Sequence, residues 1–234
     1  DELRSQIDQV HAVIEAMGLP LLSIPDVEAD DVIGTLAKAA PSAGMDAFIV
    51  SGDKDLAQLV GPGVVMCDSM KNVVYDEKGV EEKFGVPPDR IIDFLALVGD
   101  TSDNIPGVPK VGPKTASRWL MEYGSLDTLV ANADSIKGKV GENLRGSLDQ
   151  LALSRQLATI KCDVPLEKEL EALVISPADE DTLRQLYAEL EFKTWLSELG
   201  GLNESVEAEP TEATRYETVV DMSTLNKWVE KLTR

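Results

Sequence analysis

Apolar residues recur at helical spacing near the start of the chain, at Leu3, Ile7, Val10, Val13, Ile14 and Met17, and Gly18 closes the run. This predicts a helix over 3–17. Residues 19–25 are short, apolar and bounded by proline, which predicts a strand. From Asp30 to Ala40 the helical period returns, with Val32, Ile33, Leu36 and Ala37 on one face. Ala47, Phe48, Ile49, Val50 and Ser51 form a compact run typical of a buried parallel strand. A short helix at 56–60 and a small pair of strands at 64–67 and 72–75 follow. The alternation of strand and helix argues for an α/β layer. Beyond Pro87 and Pro88 the pattern is mostly helical, over 89–98, 113–123, 141–160 and 178–198.

Residues 200–215 are acidic, small and poor in apolar groups, the composition of a linker. After them 216–220 reads as a new strand and 223–231 as a helix with Ser223 as its N-cap. That pair has the pattern of the first strand and helix of a further domain. No internal repeat is present in the sequence.

Composition narrows the chemistry. Of 234 residues, 43% are hydrophobic and 27% charged, so the chain can build a core, yet no run approaches the roughly 20 apolar residues of a membrane span. The first residues, Asp1, Glu2, Leu3 and Arg4, are polar and acidic, unlike a signal peptide, and a cytoplasmic location is expected. The absence of a starting Met suggests a piece of a longer protein. Two cysteines, Cys67 and Cys162, cannot make a disulfide framework or a cysteine zinc site. The single histidine, His11, argues against a Ser-His triad or a His-rich metal site, so the chemistry must rest on carboxylates.

The formal charge of −20 argues, taken alone, against nucleic acid as a partner. Its distribution changes the picture. The acidic excess is heavy after residue 164 and over 26–55, whereas 104–120 carries Lys110, Lys114 and Arg118 and no acid. Divalent cations bound among the acids would offset part of the excess.

Three acidic clusters stand out: Glu28, Asp30 and Asp31; Asp53 and Asp55 flanking Lys54; and Asp100 and Asp103. The first is expected at a helix start just after a strand, and the second at the end of the strongest strand. In an open parallel sheet the carboxyl ends of the strands are where ligands bind. Converging carboxylates repel one another unless hard cations lie between them, and magnesium bridges carboxylates to a substrate phosphate. Two such ions can activate a water and stabilise the leaving oxygen of a phosphodiester. Each cluster alone is equally compatible with helix capping, turn chemistry or a solvated face. A calcium EF-hand fails: counting from Asp53, Gln58 stands where Gly is needed and Val64 where Glu is needed.

Residues 105–118 combine Gly107 and Gly112 with Pro113, Lys114, Thr115 and Arg118. The glycine spacing suits a tight turn between two helices, with Pro113 pre-set for the first position of the second. N–H groups at that helix start can face a phosphate oxygen, and Lys110, Lys114 and Arg118 add charge without base-reading geometry, which suits a sequence-independent grip on a DNA backbone. A P-loop is excluded by Pro113 before Lys114 and by the helix, rather than strand, that precedes it. A plain turn between helices is the bland alternative. Trp119, Trp195, Trp228, Tyr75, Phe84 and His11 read as packing residues, and the two cysteines as ordinary buried thiols.

The ordered set Glu-Ala-Asp-Asp, Gly-Asp-Lys-Asp, Gly-Asp-x-Ser-Asp-Asn-Ile-Pro-Gly-Val and Gly-x-Lys-Thr-Ala resembles the 5′-nuclease region of the bacterial DNA polymerase I family, the bacterial branch of the flap endonucleases. The resemblance runs over about 3–200. It implies a partial parallel sheet with helices (a PIN-like 5′-nuclease fold, 1–92), then an all-helical helix–hairpin–helix subdomain (93–199), the linker at 200–215 and the start of a 3′–5′ proofreading exonuclease domain at 216–234. It implies metal roles for Glu28, Asp30, Asp31, Asp53, Asp55, Asp100 and Asp103, with Asp30, Asp31, Asp53 and Asp55 catalytic, around two Mg²⁺ or Mn²⁺ ions. It implies duplex binding through Gly107, Val108, Lys110, Val111, Gly112, Lys114, Thr115 and Arg118, often with a potassium ion at the hairpin. The expected activity is 5′–3′ exonuclease and flap endonuclease cleavage of DNA or RNA by a monomer in primer removal and repair. The family also has a first strand bearing a further metal-binding Asp and a basic arch, neither matched here, so this piece alone is expected to be weak or inactive. A non-catalytic duplex-binding module and a stand-alone flap nuclease remain open alternatives on the residues themselves.

Overall fold

The computed structural model describes residues 4–200 and 222–232. Helix α1 (Arg4–Ala16) ends before Gly18, whose positive φ of 75° turns the chain out of the helix. Residues 19–25 form no strand, a correction to the sequence reading; Pro20 and Pro25 supply no N–H, and the stretch pairs with no neighbouring strand. Helix α2 (Ala29–Ser42) follows, with Glu28 as N-cap residue and Asp30 and Asp31 in its first turn.

Strand β1 (Ala47–Val50) pairs in parallel with β2 (Val64–Asp68), and β2 pairs antiparallel with β3 (Val73–Tyr75), giving the order β1-β2-β3. The expected burial of β1 on both faces is not found. Ile49 is buried, but Phe48 is 69% and Val50 66% exposed, because this sheet is covered on one face and β1 lies at its edge. The stretch between β1 and β2 is a 3₁₀ turn, Asp55–Leu59, rather than an α-helix.

Helix α3 (Glu77–Phe84) has no counterpart in the sequence reading, although its signals are local. Asp76 accepts from the Gly79 N–H at 2.8 Å and Gly85 closes it with φ 73°. A 3₁₀ turn at Pro88–Arg90 leads into α4 (Ile91–Val98), which is apolar on nearly all sides and sits in the core. Helix α5 (Pro113–Tyr123) has its predicted bounds. The short α6 (Leu126–Ala131), capped by Ser125 on Thr128, escapes the periodicity because six residues do not complete two turns. The single helix expected over 141–160 is two, α7 (Gly138–Gly146) and α8 (Leu148–Leu157). The break falls at Ser147, whose hydroxyl donates back to the Asn143 carbonyl at 2.9 Å, beside Gly146. The helix expected over 178–198 is likewise α9 (Glu180–Glu189) and α10 (Lys193–Leu199), separated where Glu191 takes φ 58°. Helix α11 (Met222–Leu232) begins ahead of Ser223, which is therefore inside the helix and not its N-cap. The strand expected at 216–220 and most of the linker lie outside the described residues.

The chain divides into two compact units, Leu22–Val174 and the segments on either side of it. In the first, one core runs from Ile49, Leu56 and Met66 of the α/β part through Ile91, Leu95 and Leu97 of α4 to Trp119, Leu129 and Leu144 of the helical part. Asp93 anchors this join: its buried carboxylate accepts the Leu126 N–H at 3.0 Å and pairs with Arg155 at 3.2 Å. In the second unit, α1 packs on α9 through Val13, Ala16, Leu183 and Tyr187, and Tyr187, Phe192 and Trp195 form an aromatic cluster. The last two helices of the expected 93–199 subdomain thus pack on α1, where their apolar faces find a partner. Cys67 and Cys162 are half-buried rather than buried. Among the described residues, no helix is long and apolar enough to cross a membrane.

Candidate metal centre and hairpin

The three acidic stretches converge within the Leu22–Val174 unit. Asp53 follows β1, and its carboxylate accepts the Asp55 N–H at 3.1 Å, which turns the chain into the 3₁₀ segment and seats Asp55 in the core. Asp100 and Asp103 lie in the loop after α4. That loop is closed by a reciprocal backbone pair, Asp100 N–H to Ile105 carbonyl at 2.8 Å and Ile105 N–H to Asp100 carbonyl at 2.7 Å. Asp55, Asp100 and Asp103 present one carboxylate oxygen each within 4.8 Å of one another, although 45 residues separate Asp55 from Asp100 in sequence. Glu28, Asp30, Asp31, Asp53, Asp55 and Asp103 line a cavity of about 350 Å³ whose far wall is Leu157–Ile160. Asp100 opens onto the adjoining hollow with Lys54.

The electrostatics follow from this crowding. Burial, then the negative charges of Asp53, Asp100 and Asp103, push the Asp55 carboxyl up to about 7, against the opposing Lys54 ammonium. Asp30 is raised by burial and by Asp53, Glu28, Asp103 and Asp31. Asp103 is raised by burial and by Asp100. Asp100 goes the other way: burial opposes its ionisation, but the Lys54 ammonium at 2.6 Å and the Ser102 N–H at 2.9 Å hold it below the usual carboxylate range. In the sequence Lys54 stands only as a turn residue; no local pattern announces a pair across this sequence distance.

The residues fit a hard divalent cation. Asp55 Oδ1 is buried and, among the described residues, has no hydrogen-bond partner. A buried carboxylate oxygen without a donor costs free energy unless a cation meets it. The donor set is all oxygen, which suits magnesium or manganese rather than zinc.

Not every expected residue shares one role. Asp31 lines the cavity, but its Oδ1 accepts the Lys161 N–H at 2.8 Å and so ties down the segment after α8. In the hairpin, Val108 and Val111 are 3% and 5% exposed and packed in the core. Their N–H groups are also spent, on the Leu97 and Val108 carbonyls. Lys110, Lys114 and Arg118 are exposed, Thr115 is half-buried, and Lys110 takes φ 64° at the turn. The turn is held from behind: Ser154 donates to the Pro106 carbonyl at 2.6 Å and Asn143 to the Pro109 carbonyl at 2.6 Å.

Comparison with known proteins agrees with this arrangement. Residues 1–85 match the family model described as "5′-3′ exonuclease, N-terminal resolvase-like domain", and 86–181 match "5′-3′ exonuclease, C-terminal SAM fold". The chain belongs to the 5′-3′ exonuclease family. Among its relatives, DNA polymerase I of Pseudomonas aeruginosa is 44% identical over 99% of this chain and 27% of its own length. The thermostable DNA polymerase I of Thermus filiformis is 42% identical over 86% of this chain and 24% of its own. The chain therefore spans about a quarter of the length of these relatives. In fold the exonuclease chain is similar to T5 5′-exonuclease with bound zinc (TM-score 0.57, 22% identity, covering 74% of this chain and 62% of that one). It is also similar to the catalytic core of Rad2 in complex with DNA substrate (TM-score 0.57, 18% identity, 84% and 68%). The α/β layer falls within the first of the two matched stretches, and the helical part around the hairpin within the second.

Proposed function

We propose that this chain carries the metal-dependent 5′-nuclease activity of a DNA polymerase I, hydrolysing phosphodiesters at 5′ ends and flaps of DNA and RNA primers. The observation that carries the reading is the convergence of Asp55, Asp100 and Asp103, one carboxylate oxygen of each within 4.8 Å of the others, together with a buried Asp55 Oδ1 that has no partner among the described residues. Solvated caps, the requirement of a non-catalytic binding module, would leave no such atom. Two Mg²⁺ or Mn²⁺ ions, when bound, supply Lewis-acid activation of water and charge stabilisation at the leaving oxygen. Asp55, Asp100 and Asp103 would hold that charge, with Glu28, Asp30 and Asp53 in the lining of the cavity that Asp55 and Asp103 share. Lys54 keeps Asp100 ionised and oriented. Asp31 fixes the cavity wall through the Lys161 N–H and adds its charge to the cavity lining.

Lys110, Lys114 and Arg118 neutralise duplex phosphates beside the start of α5. Potassium at the hairpin carbonyls belongs to the same reading. A monomer working in the cytoplasm completes it. The intact protein containing this chain is expected to cut a 5′-flap duplex with Mn²⁺, and excess chelator to abolish the cut. Adding potassium chloride is expected to weaken flap affinity with a log–log slope near −3, about 0.9 per phosphate contacted. Chelator-resistant cleavage, or a salt-independent affinity, would defeat the assignment.

A further inference from the structure

Gln58 stands apart from the acids and is fully used. Its Nε2 donates to the Asp55 carbonyl at 3.0 Å and to the Ala158 carbonyl at 2.9 Å, and its Oε1 accepts the Ile160 N–H at 3.0 Å. One side chain thus joins the acidic turn to the segment after α8, about a hundred residues away in sequence. The same segment is pinned further along by Asp31 on Lys161 and by Thr35 on the Val164 N–H at 3.1 Å. Gly34 of α2 lets it lie close, since a Cβ there would crowd Ile160 and Cys162.

The last turn of α8, next to Ala158, also reaches the hairpin. Ser154, fully buried, donates to the Pro106 carbonyl, and Pro106 follows Ile105, which is paired to Asp100. The contacts run from Asp55 through Gln58, Ala158, Ser154, Pro106 and Ile105 to Asp100, where a carboxylate oxygen lies within 4.8 Å of one of Asp55. A force on the hairpin reaches the acids by two arms, directly through Ile105 and indirectly through α8 and Gln58. The cavity wall at Leu157–Ile160 belongs to the second arm. With only the first arm, Asp100 and Asp103 would move with the hairpin while Asp55 did not.

We infer that Gln58 is a positioning residue that couples duplex engagement at the hairpin to the metal cavity, by keeping Asp55 in register with Asp100 and Asp103. The inference rests on the nuclease reading above, but it concerns linkage between two ligands and not the chemistry itself. Linkage is reciprocal, so it is readable as the change in duplex affinity that metal produces.

The test measures the affinity of the intact protein for a fluorescent, covalently closed dumbbell duplex, which offers no 5′ end to cut. Fluorescence anisotropy is read without metal and with saturating Mn²⁺, and the ratio of the two affinities is the coupling factor. Screening of DNA by Mn²⁺ is common to all variants. Gln58→Leu removes all three hydrogen bonds at nearly constant volume, and Gln58→Glu keeps the acceptor for Ile160 while losing both donations. Relative to wild type, both variants are expected to lose at least about fivefold in the coupling factor. Binding of duplex alone should stay close to wild type, whereas the melting temperature falls with the lost hydrogen bonds. If Gln58→Leu does not fold, Gln58→Glu carries the same readout. A wild-type coupling factor retained in the variants overturns the inference, as does a wild-type factor of one. Wild-type protein that binds neither Mn²⁺ nor duplex would instead overturn the nuclease reading, and the inference with it.

Discussion

Asp55→Asn is expected to weaken Mn²⁺ binding by at least about a hundredfold and flap cleavage by a similar factor or more. Removing a residue that merely orients a metal ligand already costs about 10- to 100-fold, and Asp55 is placed to be a ligand itself. The variant separates loss of metal from loss of fold. In the metal-free protein Asp55 is a buried carboxylate raised to about 7 by burial and by its acidic neighbours. With the folded value above the unfolded one, the stability tied to the neutral form is complete below pH 4. It is lost as pH rises through 7. Asparagine stays neutral, so metal-free Asp55→Asn should melt at or above wild type at pH 8. Bound metal replaces the proton, so wild-type Mn²⁺ affinity should fall about tenfold per pH unit between 7 and 5, and the variant should lose that one-proton share of the dependence. Calorimetric titration and thermal melts give both. Unchanged affinity, or a variant that melts well below wild type at pH 8, would contradict the assignment of Asp55.

The second large effect is structural. Gly99 and Gly107 lie backbone against backbone at the base of the hairpin. A Cβ on Gly107 would overlap the Val98 carbonyl, and one on Gly99, which also has φ 79°, would overlap the Gly107 N–H. No flexible side chain is there to yield. Gly107→Ala must therefore open the hairpin and strain the Val108 to Leu97 and Asp100 to Ile105 hydrogen bonds. The expected loss is about 3 kcal/mol or more, near the top of the range for single substitutions. For a unit of this size that is about 10 °C in melting temperature. Because Asp100 hangs on the same bonds, Mn²⁺ affinity should fall together with duplex affinity. Gly112→Ala is the control: its Cβ would meet nothing within 4 Å and its φ of −106° suits any residue. It should melt within about 1 kcal/mol of wild type. Equal tolerance of both substitutions would show that the hairpin is looser than these contacts require.

Features set by neighbours in sequence are legible from the residues alone. Helix α5 has its predicted bounds because Gly112 and Pro113 start it and Gly124 ends it. The pairing of β2 with β3 is legible as a small pair of strands, whereas the parallel pairing of β1 with β2 is not, since the alternation counts a strand over 19–25 that does not form. The failures have local causes too. Ser147 and Glu191 break helices that periodicity alone would continue, and the prolines at 20 and 25 deny the backbone donors a strand needs. The burial of β1 is overstated by its pattern because an apolar run does not say how many faces a sheet has covered. At the candidate site, the acid types and their clustering are visible in the chain. Their distances are not, since 44 residues intervene between Asp55 and Asp100. The diverging roles also need the fold: Asp31 turned to a backbone N–H, Val108 and Val111 turned inward, and Lys54 locked on Asp100. Gln58 carries no signal at all, because a glutamine inside a short apolar stretch reads as an ordinary half-buried polar residue.

The most direct measurement is anomalous diffraction at the manganese edge from crystals of the intact protein grown with Mn²⁺. The account predicts density between Asp55, Asp100 and Asp103, at about 2.0–2.3 Å from their oxygens, the range of small hard divalent ions. Manganese only on exposed acids such as Glu167, Glu169 and Glu171, with Asp55 Oδ1 still facing no cation, would contradict it.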